Sequence, residues 1–428
     1  MYVADKRHTV TVRSGRLAVA EPNRQRRCTV KKLSCMVILT ICAAIGLGVF
    51  AGSAAKAQEM DYGELARRVV KTSANVKPGD VVVVYGGKHD IALMEALAIE
   101  TAKQGGMVTM FLDSDKFERA FYTEVPEQYL EQPPSYFAEW VKHMNVWIGL
   151  PGVEDPKAVY GDVPQERFAK ANKAGQVVTD VLNASGVRVV SLGYPTQSDA
   201  AVYQLDFATY QKVFWDAVGA DYQKISQDGN KLKQMLQEAK TVRVTSPSGT
   251  DFTFSVGDRP IFVDDGIVTE EKAKSKYFVT RYASLPGGSI FFAPIETSAN
   301  GKVVVPRDRC QFKPLTGESF VFNQGHLENF NAESGGQCYA EAMAPYTGPK
   351  DMFAYFQIGL NPAAKVMENP GDYRPGNAAG LVYISVGDNQ LFGGSNKVQG
   401  AGGFGFPIVN ATVTIDGKTV VQDGKLTL

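Results

Sequence analysis

Apolar and polar residues alternate along this chain in two different rhythms. From Met60 to Val76, the apolar positions Leu65, Val69, Val70 and Val76 recur at helical spacing and predict an amphipathic helix. Pro78-Gly79-Asp80 stops it, and Val81 to Tyr85 is an unbroken apolar run, the pattern of a strand buried on both faces. Gly86-Gly87 leads into a helix from about Asp90 to Gln104; Gly105-Gly106 ends it before a second strand, Met107 to Leu112. Strand, helix, strand predicts a βαβ unit and a parallel sheet. The rhythm recurs with a strand at Val146 to Leu150, a helix at Pro164 to Asn183 and a strand at Val187 to Leu192. One or two helices follow within Asp206 to Lys240, including Ile225 to Ala239. Residues 58–240 are therefore expected to form an α/β amino-terminal domain around an open, mostly parallel sheet.

At Thr241 the period shortens to two. VRVTSPSGTDFTFSV reads as two alternating strands joined by a Ser-Pro-Ser-Gly turn, and VTIDGKTVVQDGKL as a closing hairpin around Asp416-Gly417. Helices are expected only at Phe330 to Met343 and in part of Asp351 to Phe356. Residues 241–428 are thus expected to form an α+β carboxy-terminal domain. Two segments in it share one build. In Tyr282 to Gly301, a Pro-Gly-Gly turn feeds a short strand, Ser289 to Ala293, closed by Pro294. In Gly380 to Gly394, a short strand runs into a turn at Gly387-Asp388-Asn389.

The amino end changes the picture. Arg24 to Lys32 is basic, Met36 to Ala51 is apolar, and Ala55-Lys56-Ala57 is a small-x-small site. This order predicts a leader and signal peptide, residues 1–57, cleaved after Ala57. The mature chain would then be exported, periplasmic or secreted, with no membrane attachment. An uncleaved anchor is the alternative reading. Cys28, Cys35 and Cys42 leave with the signal, so the mature chain keeps only Cys310 and Cys338. In an oxidising compartment these form one disulfide; two separate buried thiols are the other reading.

At 428 residues, two domains are the natural prior. A formal net charge of zero leaves no basic footprint for nucleic acid. Gly86-Gly87-Lys88 lacks the spacing of a phosphate-binding loop, and no Ser or Cys nucleophile motif is present. His8 precedes the signal, and His89 follows the first strand at a helix amino terminus, where ligands often sit in open α/β sheets. A cap or surface role is its plainer reading. Core packing beside Trp140 is the default for His143, and His326 follows a turn.

The two matched segments, the run VKPGDVVVV, the hairpin GTDFTFSV, Asp264-Asp265-Gly266 and the closing VTIDGK…DGKL resemble, in order, landmarks of the aminopeptidase T / aminopeptidase S family of metallo-aminopeptidases. The resemblance implies an aminopeptidase T-like fold and a homodimer. It also implies a two-metal site of two Glu, two His and an Asp, with a Tyr nearby. Carried onto this chain, the first Glu position is Ser289, the second is Gln357, the first His is Tyr383 and the Tyr is Gln390. The closing His-x-Asp pair falls near Phe406 and Ile408. Carboxylates bind and neutralise dications, so these replacements predict no metal, no cofactor and no catalytic residue. The expected protein is a catalytically inactive relative that keeps the ancestral cleft as a binding or structural surface, open to a peptide or small-molecule ligand. The alternative is a metal-dependent aminopeptidase holding zinc, cobalt or manganese through a rearranged site with Glu296 and Asp388 as substitute ligands. Convergence of three among Glu296, Asp388, Glu333 and His326 would favour it.

Overall fold

The computed structural model describes residues 60–310, 312–368, 372–399 and 402–428. The expectations for residues 1–57 lie outside them. Helix α1 (Tyr62–Arg68) starts at Asp61, whose carboxylate caps the backbone amides of Gly63 and Glu64. The chain then lays down β1 (Val81–Gly87), α2 (Ile91–Lys103), β2 (Met107–Asp113), β3 (Val146–Gly149) and β4 (Arg188–Leu192). The run of valines does what its pattern demands. Val82 and Val84 pack with Leu93, Met94 and Leu97 of α2. Val83 points the other way, into a cluster with Val141, Met144, Val187 and Val189.

The second half opens with β5 (Thr241–Thr245), β6 (Asp251–Ser255), β7 (Ile261–Asp264), β8 (Tyr282–Leu285) and β9 (Ser289–Phe292). It continues with β10 (Asn300–Cys310), β11 (Lys313–Asn323), β12 (His326–Asn331), β13 (Phe353–Gly359), β14 (Val382–Gly387) and β15 (Gly403–Ile408). The last strands are β16 (Thr412–Ile415), β17 (Lys418–Gln422) and β18 (Lys425–Leu426).

Three sheets result. The first is parallel, in the order β2-β1-β3-β4-β8. An eight-stranded sheet, β12-β11-β10-β6-β5-β16-β17-β18, and a five-stranded one, β15-β14-β13-β9-β7, make the carboxy half. Phenylalanines join these two: the Phe254 ring centroid lies 4.9 Å from Phe356, and Phe320 lies 4.6 Å from Phe406. Sheet-on-sheet burial of large rings is the main apolar gain of this half.

Three expectations need correction. A boundary at 240 is too simple, because β8 returns to the parallel sheet and pairs with β4 from Val189–Tyr282 to Leu192–Leu285. The Pro286-Gly287-Gly288 turn then passes the chain directly into β9 of another sheet. The stretch between Asp351 and Phe356 is no helix; it leads into β13, where Phe353, Phe356 and Ile358 are buried strand residues. Phe330 also lies in a strand, and the helix expected from it starts only at Gln337. Cys310 and Cys338 form a disulfide, with Cα atoms 6.0 Å apart, tying that helix to the turn end of the β10–β11 hairpin. No helix of the described residues is long and apolar enough to cross a membrane.

Candidate functional site

Strands β9, β13 and β14 lie side by side, and their register decides which side chains share a face. Gln357 stands opposite Phe291 on one side and Tyr383 on the other; Ser289 stands opposite Gly359. Alternation therefore puts Ser289, Phe291, Tyr355, Gln357 and Tyr383 on one face of the five-stranded sheet. From β7, Phe262 and Asp264 join them opposite Phe291 and Ser289. Phe406 and Ile408 do not. They pair with Ile384 and Val382 and so point through the other face, where Phe406 packs on Phe320. The expectation that they line the same cleft is corrected: β15 offers Gly405 and Pro407 to this face. Gly405 is required there, because a Cβ would collide with the Tyr383 phenol.

Three polar side chains of the face, Tyr355, Gln357 and Asp264, are bonded to protein. The Gln357 side-chain oxygen accepts from the Tyr355 hydroxyl at 2.5 Å, and its Nε2 donates to the Gly376 carbonyl at 2.6 Å. Burial raises the Tyr355 hydroxyl well above the usual tyrosine pKa. Burial, and then the negative charges of Asp308 and Glu318, push Tyr383 up to about 12. Ser289 is buried. The carboxyl of Asp264 accepts from the backbone amides of Gly266 at 3.1 Å and Ser284 at 3.2 Å, and burial raises its pKa.

Behind Tyr383 lies a group of residues that no local motif announces. Asp308 and Glu318 come from the β10–β11 hairpin, Asp372 and Arg374 from the loop before β14. Arg374 donates to the Arg307 carbonyl and lies 3.6 Å from Asp372. Both Glu318 oxygens are buried without a hydrogen-bond partner. Burial, then the charge of Asp308, raises Glu318 to about 8; burial raises Asp308 to about 6.

The proposed substitute ligands are occupied elsewhere. Glu296 is paired with Arg259 at 2.7 Å and accepts from Asn389 Nδ2 at 3.0 Å and the Ser395 amide at 2.6 Å. Burial alone would raise its pKa, but the bonds from Ser395 and Asn389 hold it below the usual range. Asp388 accepts from the amides of Val398 at 2.9 Å and Gln390 at 3.3 Å. His326 pairs with Asp351 at 2.9 Å, and Glu333 packs over Gly317. Among the described residues no three His, Cys, Asp or Glu side chains converge on a point that would hold a metal ion. Hydroxyl, carboxamide and phenol at Ser289, Gln357 and Tyr383 do not fit a pair of dications, which need anionic oxygen and imidazole. Gln390 is exposed and lines a polar cleft of about 870 Å³ with Asp388, Tyr277 and Asn172.

His89 is buried against Tyr194, ring centroids 5.7 Å apart, with its Nε2 3.8 Å from Asp90. His143, expected in the core, is exposed, because its short helix ends at Val141.

The model of the family described as thermophilic metalloprotease (M29) matches residues 58–350. The chain belongs to this family. Among solved structures it is similar to wild-type AmpT from Thermus thermophilus, with TM-score 0.65 and 15% identity over 86% of this chain and 99% of that one. It is also similar to 2,5-dihydroxypyridine dioxygenase from Pseudomonas putida, with TM-score 0.54 and 15% identity over 86% of this chain and 96% of that one. No curated protein matches in sequence. The thermophilic metalloprotease frame is thus shared with a protein named for a different reaction, so the frame fixes the fold and leaves the reaction to the side chains.

Proposed function

We propose that this member of the thermophilic metalloprotease family is an exported aminopeptidase T-like protein that no longer hydrolyses peptides. The face carrying Ser289, Gln357 and Tyr383 is the descendant of the metal site and now serves as a binding or structural surface. One observation carries this reading: the Gln357 carboxamide is bonded at both ends, to Tyr355 and Gly376, at the centre of the face. The carboxamide oxygen is neutral and already accepts one bond from a neighbouring phenol, so it offers a dication one lone pair and no charge. The full set of bonds on Glu296 speaks against a rearranged metal site, since recruiting it would break its pairing with Arg259. Export rests on the basic, apolar and small-residue order of residues 24–57.

The test is metal content and peptidase activity on one sample. The chain from Gln58 onward is stripped with chelator, dialysed against zinc, cobalt or manganese, and assayed on leucine and arginine p-nitroanilides. The expected result is no stoichiometric metal and no turnover. About two metals per chain, with turnover that chelator abolishes, would overturn the proposal.

A further inference from the structure

The longest helix of the described residues, Gln165–Ala184, buries only Ala174 of its twenty residues. A helix laid on a core buries an apolar stripe, as Tyr222–Glu238 does with Tyr222, Ile225, Leu232 and Leu236. The long helix instead stands off from the carboxy half, and the polar cleft of about 870 Å³ lies between them. Toward the cleft it presents Asn172, Gln176, Thr179, Asp180 and Asn183, which share one face at helical spacing. The 388–399 loop forms the opposite wall with Gln390, Lys397 and Gln399, and Tyr277 and Phe278 add rings. At Asn172 the cleft adjoins a second hollow of about 330 Å³, lined by Tyr160, Phe168 and Tyr346. From Phe168 to Asn183 the two follow about 22 Å of helix.

Both walls are fixed in advance. The buried Arg281 donates through Nη2 to the carbonyls of Leu182 at 3.3 Å and Asn183 at 3.0 Å, anchoring the end of the helix. Glu296 holds the loop through Asn389 and the Ser395 amide, and Asp388 holds it through the Val398 amide. A preformed cleft costs little ordering when a ligand enters.

We propose that this cleft binds a neutral oligosaccharide. Its charges cancel, with Asp180 and Asp388 set against Lys276 and Lys397, so the lining has no net charge to draw in an anion or a cation. Asp388 is spent on backbone amides, Asp180 accepts from Gln176 Nε2 at 2.9 Å, and Lys276 lies 5.0 Å from the centre of the Tyr277 ring. What remains for a ligand is carboxamide and hydroxyl, from Asn172, Gln390, Gln399 and Thr179. A carboxamide sets an acceptor beside two donors, which matches adjacent sugar hydroxyls that each donate and accept. An apolar ligand would leave these groups desolvated and unpaired. The half-buried rings of Tyr277 and Phe278 offer apolar faces to the C–H side of a sugar ring. An extended peptide finds no sheet edge to pair with, since one wall is a helix and the other a loop. The length of the cleft suits a chain of sugars better than a single one. The face of Ser289, Gln357 and Tyr383 takes no part in the lining, so this site stands or falls apart from the loss of peptidase activity.

Residues 55–428 form one compact unit, so the chain from Gln58 onward is the sample, titrated in chelator so that metal plays no part. Calorimetry with neutral hexasaccharides of glucose, galactose, mannose and N-acetylglucosamine is expected to show one site per chain for at least one of them. Gln176→Ala with Gln399→Ala, both at exposed positions, should weaken that sugar about tenfold or more while leaving the thermal melt in place. Lys173→Ala, exposed on the same helix outside the cleft, should leave the affinity as it is. No binding by any of the four sugars, or an affinity untouched by the double variant, would overturn the proposal. Tighter binding of an oligogalacturonate, which is anionic, or of hexaglycine than of every neutral sugar would overturn it too. If the double variant fails to fold, Gln390→Trp, which fills the cleft from an exposed position, decides in its place by abolishing binding or leaving it intact.

Discussion

Glu296 and Glu318 are the same residue type, buried to a similar depth in the carboxy half, and they live in opposite electrostatic worlds. Glu296 is 5% exposed and has Arg259, Asn389 and the Ser395 amide around its two oxygens. Glu318 is 0% exposed, has no hydrogen-bond partner on either oxygen, and has Asp308 nearby. The first is held charged; the second holds a proton at neutral pH. The difference shows that burial alone does not decide the charge of a carboxyl group: the donors supplied by neighbouring elements do. It also separates two duties. Glu296 clamps the turn after β9 to the 389–395 loop and Arg259, whereas the Glu318 cluster lies behind the Tyr383 phenol.

Removing the clamp is expected to have the largest effect. Glu296→Ala leaves Arg259, Asn389 and the Ser395 amide facing an empty space, and breaking a buried ion pair this way costs about 3–5 kcal/mol. Urea denaturation of parent and variant measures it. A loss below about 1 kcal/mol, the worth of an exposed pair, would mean that the carboxylate clamps nothing.

Much of the fold was legible because short-range periodicity reports burial. The valines from Val81 to Val84 announce a strand covered on both sides, and the helices at Gln165–Ala184 and Tyr222–Glu238 follow their apolar spacing. Pairing partners are another matter. Nothing in Tyr282–Leu285 says that it will sit beside β4 and not beside β9, because register with a distant strand leaves no local trace. The strand at Phe353–Gly359 is masked in the sequence for a physical reason: its register with β14 shifts between Phe353 and Tyr355, so strict alternation fails there. Near Phe330, Gly335 at a positive φ of 78° separates strand from helix, and the apolar pattern runs on across that break. For the site, a one-residue offset in β15 moves a side chain to the opposite face, which is why Phe406 and Ile408 point into the sandwich and Gly405 and Pro407 take the site face. Asp308, Glu318 and Arg374 gave no signal at all, since only the hairpin and a later loop bring them together.

The Glu318 side of the contrast is tested through pH, with a smaller effect. Its folded pKa is raised from 4.5 to about 8, so between those values the folded protein keeps a proton that the unfolded chain releases. Stability must therefore fall as pH rises through this window, by at most about 1.4 kcal/mol per pH unit for one group. Asp90 and Glu118, each raised to about 7 chiefly by burial, and Asp308, raised to about 6, add slope of the same sign at lower pH. Glu318→Gln keeps the shape and removes the titration, so the difference between parent and variant isolates this group. At pH 5 the variant should match the parent or fall slightly below it, since a protonated carboxyl and a carboxamide are both neutral there. Above pH 8 the parent carries a buried, unbonded charge and the variant does not, so the variant should be the more stable. Urea midpoints taken across this range give the answer. Parallel curves would place solvent or a donor at Glu318, and the two carboxyls would then differ in degree only.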